Sequence, residues 1–304
     1  MKPGTFIISL DCEGKWGVAD RVDAAVDRAF TDENLLDAYH RLDGLFAEYS
    51  IPATFAFVSA FTFSPRELAL YEELLDDVVI SGGNWLRHYR RQRAEGGAQG
   101  WFLPQALDLI DRSGRHEIAS HGFSHLPVGD PMVSADAAAH EFATARQVAQ
   151  DRGREVHTYI YPRNLVAHRD RLTDAGFIGF RGARPGTGRG LTARAGTLLS
   201  ELNVFQKADP SGSDPAEIPA GHFFNWRAGL RRRIPPVVTR ARWKAMLNDA
   251  SRSDRVCHLW LHPHNLIGDG GTFDVLRSVM REAALLREAG KLDIMTQYAY
   301  LESR

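Results

Sequence analysis

Four apolar runs in this chain each lead into residues capable of acid–base or metal chemistry. FIISL (6–10) leads into Asp11 and Glu13, HEIAS (116–120) into His121 and His125, HTYIY (157–161) into Arg163, and HLWL (258–261) into His262 and His264. One carboxylate and two imidazoles supply three ligands to a divalent cation of the catalytic type, which keeps a further position open for water. Such an ion lowers the pKa of that water to about 7. A second carboxylate can take its proton, and an imidazole on the far side can give one to a departing amine or alkoxide. Together the set could hydrolyse an amide or an ester.

The elements that must position these groups follow from the apolar spacing. All four groups lie at the carboxyl end of their run, where parallel α/β sheets and barrels carry their active sites. Between the β-rich runs the apolar residues recur at helical spacing. Leu35, Leu36, Tyr39, Leu42, Leu45 and Phe46 predict a helix over 32–49 with Thr31 or Asp32 as its cap. Further helices are predicted over 64–75, 103–112, 134–151, 167–175, 240–250 and 272–289, and further strands over 53–58, 177–181 and 292–296. Strands alternating with helices predict an α/β fold built on parallel strands. Two segments, about 81–102 and 182–238, are too long for ordinary connections and are read as insertions over the reactive face of a single domain spanning 1–304.

Composition narrows the function classes. The 304 residues include 37 Lys+Arg and 38 Asp+Glu, a formal net charge of −1, which does not suit a general nucleic-acid binder. Two cysteines, Cys12 and Cys257, cannot build a structural zinc cluster or a disulfide framework, and point to a reducing, cytoplasmic setting. The run 6–10 is too short for a secretory core, and no stretch approaches the roughly 20 apolar residues of a membrane span. The expectation is a cytoplasmic protein, at most peripheral to the inner face of a membrane.

In order along the chain, SLDCEG, ATFAFV, HEIASHGFSH, YPRN and LWLHPHN are similar to the successive motifs of the polysaccharide deacetylase family, the NodB-like carbohydrate esterases. HEIASHGFSH carries most of the resemblance, which covers about residues 5–182 and 255–265. It implies a distorted (β/α) barrel and metal-dependent N- or O-deacetylation. It also implies Asp11 as catalytic base, Glu13, His121 and His125 as metal ligands, Arg163 as the arginine orienting the base, and His262 as general acid, with His264 able to take its place. The family commonly has two adjacent aspartates, whereas here Cys12 separates the acids and the second is Glu13. Its later aspartate-rich motif, which tunes the acid imidazole, has no counterpart. Zinc suits the donors best, and cobalt, nickel, manganese or iron would also be accepted.

Arginines cluster in both insertions: Arg87, Arg90, Arg91 and Arg93 in the first, and Arg227, Arg231, Arg232, Arg233, Arg240 and Arg242 in the second. Such runs are commonly solvated faces, but Arg forks also grip phosphate or carboxylate. Trp85, Tyr89, Trp101 and Trp226 lie among them and could stack on sugars. Asn164, Trp85, Trp226, Arg87, Arg231 and His264 are therefore candidate substrate contacts. The expected substrate is a small or lipid-linked saccharide, such as a cytoplasmic precursor of a surface polysaccharide, with no nucleic acid bound. Two other readings are an amidohydrolase acting on a small non-sugar amide or cyclic imide, and a sugar-binding module without activity.

Overall fold

A computed structural model describes residues 2–184, 201–224, 231, 233–268 and 270–304. Trp226 and Arg227 therefore lie outside the described residues. Among the described residues ten strands form one curled sheet: β1 (Gly4–Cys12), β2 (Thr54–Phe57), β5 (Glu117–Ser120), β6 (Thr158–Ile160), β7 (Gly179–Arg181), β8 (Asp209–Pro210), β9 (Glu217–Ile218), β10 (His222–Phe223), β11 (Arg255–Leu261) and β12 (Leu292–Met295). Their order is β10-β11-β1-β2-β5-β6-β7-β9, with β12 also on β1 and β8 on β11. Every pairing is parallel except β8 with β11. The expected distorted (β/α) barrel is thus observed. β8, β9 and β10 fall inside the stretch 182–238 that was expected to be an insertion, so part of that stretch belongs to the sheet itself. Their two-residue lengths gave the sequence no period to display.

Helices cover the outer face. Thr31 caps α2 (Asp32–Glu48) by accepting from the Asn34 amide, and Ser134 caps α6 (Ala135–Asp151) through the Ala137 amide. The predicted helix over 64–75 is instead a four-residue turn, Pro65–Leu68, followed by a 3₁₀ turn at Glu72–Leu74. In the first long segment a small hairpin, β3 (Val79–Ile80) with β4 (Gly83–Asn84), precedes the helix Arg87–Ala94. Among the described residues no helix is long and apolar enough to cross a membrane.

Strand alternation sorts the two faces of the sheet. On β1, Phe6, Ile8, Leu10 and Cys12 join the large outer core with the helices. Ile7 belongs to a separate inner cluster with Ile218, Val256 and Tyr300, and Ala56, Ala119 and Ile160 form another. Ser9 and Asp11 follow Ile7 on that inner side, while His258, Trp260 and His262 follow Val256 on β11. The register sets Leu10 beside Leu261 and Cys12 beside Phe57, and Phe57 beside Ser120. Asp11, His121 and His262 are thereby delivered to one rim of the barrel.

Candidate active site

At that rim a cleft of about 610 Å³ is lined by Asp11, Glu13, His121, His125, Arg163, Asn164, Arg231, His262 and His264 among others. Glu13 Oε2 lies 2.8 Å from His125 Nε2 and 3.4 Å from His121 Nε2, and the two imidazole nitrogens are 3.0 Å apart. His121 Nδ1 lies 2.7 Å from the Ile160 carbonyl, which can only accept, so Nδ1 carries the proton and Nε2 turns its lone pair to the cleft. Burial presses the His125 pKa down to about 4, keeping the ring neutral. Burial pushes the Glu13 carboxyl up, but the surrounding imidazoles of His125, His262 and His121 outweigh it and hold the group well below its ordinary value. Lone pairs and a carboxylate converging this closely repel one another unless a cation or a proton sits between them. An N₂O donor set fits a divalent cation of the zinc type. Glu13, His262 and His264 form a second possible donor set, but His262 Nε2 is 3.7 Å from Glu13, so the shorter separations favour His121 and His125.

The loop holding these ligands is fixed from behind. The buried Glu141 of α6 accepts from the Ser124 amide at 2.8 Å, the Ser124 hydroxyl at 2.9 Å and the Leu126 amide at 3.1 Å, bracketing His125. Gly122 adopts φ +89°, and a Cβ there would stand 2.6 Å from Glu141 Oε1. His125 itself has φ 61°, and Arg163 and Asn164 have φ 58° and 54°. Three non-glycine residues in left-handed geometry at one site are strain of the kind held by surrounding structure at functional positions.

Asp11 is gripped by a residue that the sequence reading passed over. Arg181, fully buried at the end of β7, donates to both carboxylate oxygens of Asp11 at 2.7 Å. It also donates to Ser9 Oγ at 3.1 Å and to Asn164 Oδ1 at 2.8 Å. Burial raises the Asp11 pKa, but the Arg181 charge and hydrogen bonds, with His121 and His262, lower it below its usual 3.8. Arg163, expected to orient Asp11, instead donates to Asp20 at 2.6 Å and lies over the Trp85 ring at 4.9 Å. The physical reason is direction. Arg163 occupies a left-handed turn beyond β6, whereas Arg181 ends a strand whose inner column points at Asp11.

His262 stands opposite the ligand imidazoles, its Nε2 4.0 Å from Asp11 and 3.7 Å from Glu13. The Asn265 amide oxygen accepts from the His262 backbone at 3.0 Å and lies 3.1 Å from Nδ1, so the proton sits on Nδ1 and Nε2 faces the carboxylates. Asn265 thus occupies the orienting position for which the sequence offered no aspartate. His264 stacks under His262 with ring centroids 4.7 Å apart, and burial pushes its pKa down to about 3. A ring so hard to protonate is a poor acid at neutral pH.

The expected substrate contacts separate. Asn164, Arg231 and His264 line the cleft. Trp85 does not: it is wholly buried, stacks on His125 at 5.8 Å and donates to the Ser124 carbonyl, so it is a backing for the ligand loop, not a sugar platform. Arg87 donates to the Asp20 carbonyl, outside the cleft wall. Trp16, Tyr89 and Trp101 pack on one another in the core.

Comparison with solved structures decides the fold type. A protein described as a polysaccharide deacetylase from Mycobacterium smegmatis aligns with a TM-score of 0.61 at 16% identity, covering 100% of this chain and 93% of that one. The chain has the polysaccharide deacetylase fold. A protein described as a polysaccharide deacetylase from Pseudomonas aeruginosa PAO1 gives a TM-score of 0.55 at 13% identity, covering 98% and 89% of the two chains. A 4-alpha-glucanotransferase from Thermococcus litoralis gives 0.53 at 13% identity, with 100% of this chain on 41% of that one, so the same fold also occurs as part of that larger chain. No family model matches the sequence, and no curated protein matches it.

Within this deacetylase fold, one residue missed in the sequence, Arg181, was open to detection, while His258, read there as structural, is held in the core behind the site. Arg181 terminates FIGFR, an apolar strand running into a charge, which is the criterion that singled out Asp11 and His121. His258 alternates with Trp260 and His262, so it shares their inner face. Wholly buried, it lies 2.8 Å from Ser9 Oγ and 2.6 Å from the Pro219 carbonyl.

Proposed function

We propose that the chain is a cation-dependent hydrolase that removes an acyl group, acetyl in the first instance, from the nitrogen of an amino sugar of the kind built into surface polysaccharides. The observation that carries this reading is the pairing of one carboxylate clamped by Arg181 with a second carboxylate set among imidazoles, on the rim of a deacetylase-type fold. Glu13, His121 and His125 would hold the ion, with zinc best matched to the donors. When bound, a divalent cation supplies Lewis-acid polarisation of water and of the acyl carbonyl. Asp11 is kept ionised by Arg181 and accepts the proton of the attacking water at its Oδ2, the oxygen nearer His121. His262, protonated at Nε2 and steadied by Asn265 at Nδ1, donates to the departing amine. Being about one-fifth exposed, it can exchange that proton with solvent.

The test combines ion content with acetate release from N-acetylated amino sugars. The wild type is expected to bind about one ion per chain and H121A to lose it. Asp11→Asn keeps the ion and loses acetate release, and His262→Asn loses far more activity than His264→Gln. Undiminished release by Asp11→Asn would refute the mechanism. Turnover of small non-sugar amides with none of amino sugars would replace the substrate class.

A further inference from the structure

The acids of the cleft wall already have partners, whereas the cations have donors to spare. Asp11 is bonded to Arg181, Glu13 to His125, and Asp20 to Arg163. Arg231 presents a different case. Its Nε donates to both oxygens of Glu201, at 2.8 and 2.9 Å, and Glu201 is buried at 3% exposure while the Arg231 side chain is 34% exposed. A carboxylate held beneath the surface thus fixes the guanidinium by one nitrogen. Its two terminal nitrogens have no partner among the described residues and form the end of the fork that matches an oxyanion bidentately. Arg21, exposed elsewhere in the lining of this cleft, likewise has no ion-pair partner among the described residues.

The position of this fork decides which part of a substrate it would meet. The Arg231 guanidinium lies 5.6 Å from the Phe223 ring centroid, and that ring is 5.8 Å from His262. Arg231 is therefore one aromatic ring away from the imidazole that serves the leaving group. We propose that Arg231, oriented by Glu201, forms an oxyanion subsite for a phosphate or carboxylate carried on the leaving portion of the substrate. This rests on the hydrolase reading for the role of His262, while the fork itself does not depend on it. The acyl group carries no charge in this scheme, and the anion belongs to the sugar that keeps the freed amine.

Two measurements test it. In the first, acetate release is compared for N-acetylglucosamine 1-phosphate, an N-acetylated amino-uronic acid and neutral N-acetylglucosamine, using metal-loaded wild type, Arg231→Met and Glu201→Gln. The wild type should prefer one anionic substrate, and the phosphate and carboxylate arms show which. Arg231→Met should reduce the charged-to-neutral ratio of kcat/KM by about 10- to 100-fold, the worth of a charge-assisted contact. Glu201→Gln, which keeps the cation but loosens its anchor, should fall between. In the second, inorganic phosphate is titrated into metal-free protein by calorimetry, where Arg231→Met should weaken binding about tenfold or more. An unchanged ratio together with unchanged phosphate binding in Arg231→Met would overturn the subsite. Arg231-dependent phosphate binding without acetate release from any substrate would instead remove the hydrolase reading and leave the subsite standing. Deacetylation with no preference for either anion would do the reverse.

Discussion

Replacing Arg181 with methionine strands Asp11 as a buried carboxylate without its fork, and replacing Asp11 with leucine strands the guanidinium. Both side chains are almost wholly enclosed and joined by two bonds of 2.7 Å, so removing either partner should destabilise the protein by about 3–5 kcal/mol. Removing both should cost little more than one, because the second change takes away a charge already unpaired. The double-mutant cycle on metal-free protein, read by urea unfolding, should therefore return a coupling of about 3 kcal/mol. Arg163 supplies the contrast. It pairs with Asp20, which is buried while Arg163 itself is partly exposed, so Arg163→Met should cost about 1–3 kcal/mol but show no coupling to Asp11. The pH dependence has a definite sign. Asp11 is depressed in the folded state, so its stabilising contribution is present above 3.8 and fades as pH falls through its lower folded value. In Arg181→Met burial is no longer opposed by its largest counterweight, the carboxyl moves up, and the acid limb of kcat/KM moves to higher pH. A strong Arg163–Asp11 coupling, or additive effects for Arg181 and Asp11, would refute the assignment of Arg181 as the residue that holds the base.

Gly17→Ala replaces no ligand, yet its Cβ would stand 2.1 Å from Oε1 of the ligand Glu13; the carboxylate can swing away, so folding should survive while ion affinity falls at least tenfold in equilibrium dialysis. Glu141→Gln keeps the shape of α6 but cannot accept from the Ser124 and Leu126 groups equally well. It should lower ion affinity by about 10- to 100-fold and stability by about 1–3 kcal/mol, with wild-type affinity retained counting against the role given to Glu141. His264 has its pKa lowered from 6.5 to about 3 by burial. The unfolded chain therefore binds a proton that the folded one refuses, and stability falls as pH drops from 6.5 towards 3. His264→Gln should flatten that slope by about 1.4 kcal/mol per pH unit in urea titrations across the window.

Where period and position acted together, the sequence was informative. The helix over 32–49 was marked by its apolar stripe and its Thr31 cap, and the parallel strands by apolar runs between helices. Asp11, Glu13, His121, His125 and His262 stood out because each follows a strand, and register carries every strand end to the same rim. The signal failed where side-chain direction depends on a turn. YPRN places Arg163 next to the site, but its left-handed backbone aims the guanidinium at Asp20. Trp85 lies among arginines in the sequence, yet its indole packs behind His125, because burying so large an apolar ring outweighs exposing it to solvent. The strands β8, β9 and β10 were hidden by being two residues long, and Glu201 could not be chosen from a stretch without period.

The two ends of the barrel show why the reactive groups sit where they do. At the amino ends of β2, β5 and β6, Glu117 accepts from Thr54, Thr158 and the Tyr298 amide. Those partners are neutral, and burial, the strongest influence, raises its pKa. At the carboxyl ends Asp11 and Glu13 suffer the same burial, but a guanidinium and imidazoles reverse its effect and keep both ionised. Between the ends lie Ala56, Ala119 and Ile160, a small apolar layer that separates the two carboxylate environments. The difference depends on register. Ser9 and Asp11 reach the inner face only because Leu10 packs in the outer core beside Phe55 and Leu261. A one-residue slip of β1 would exchange those faces, putting a carboxylate among the helices and a leucine opposite Arg181. The apolar residues on either side of the acids therefore do more than fill the core: their parity holds the base in the cleft, and the outer-core contacts of β1 are as necessary to the site as Arg181.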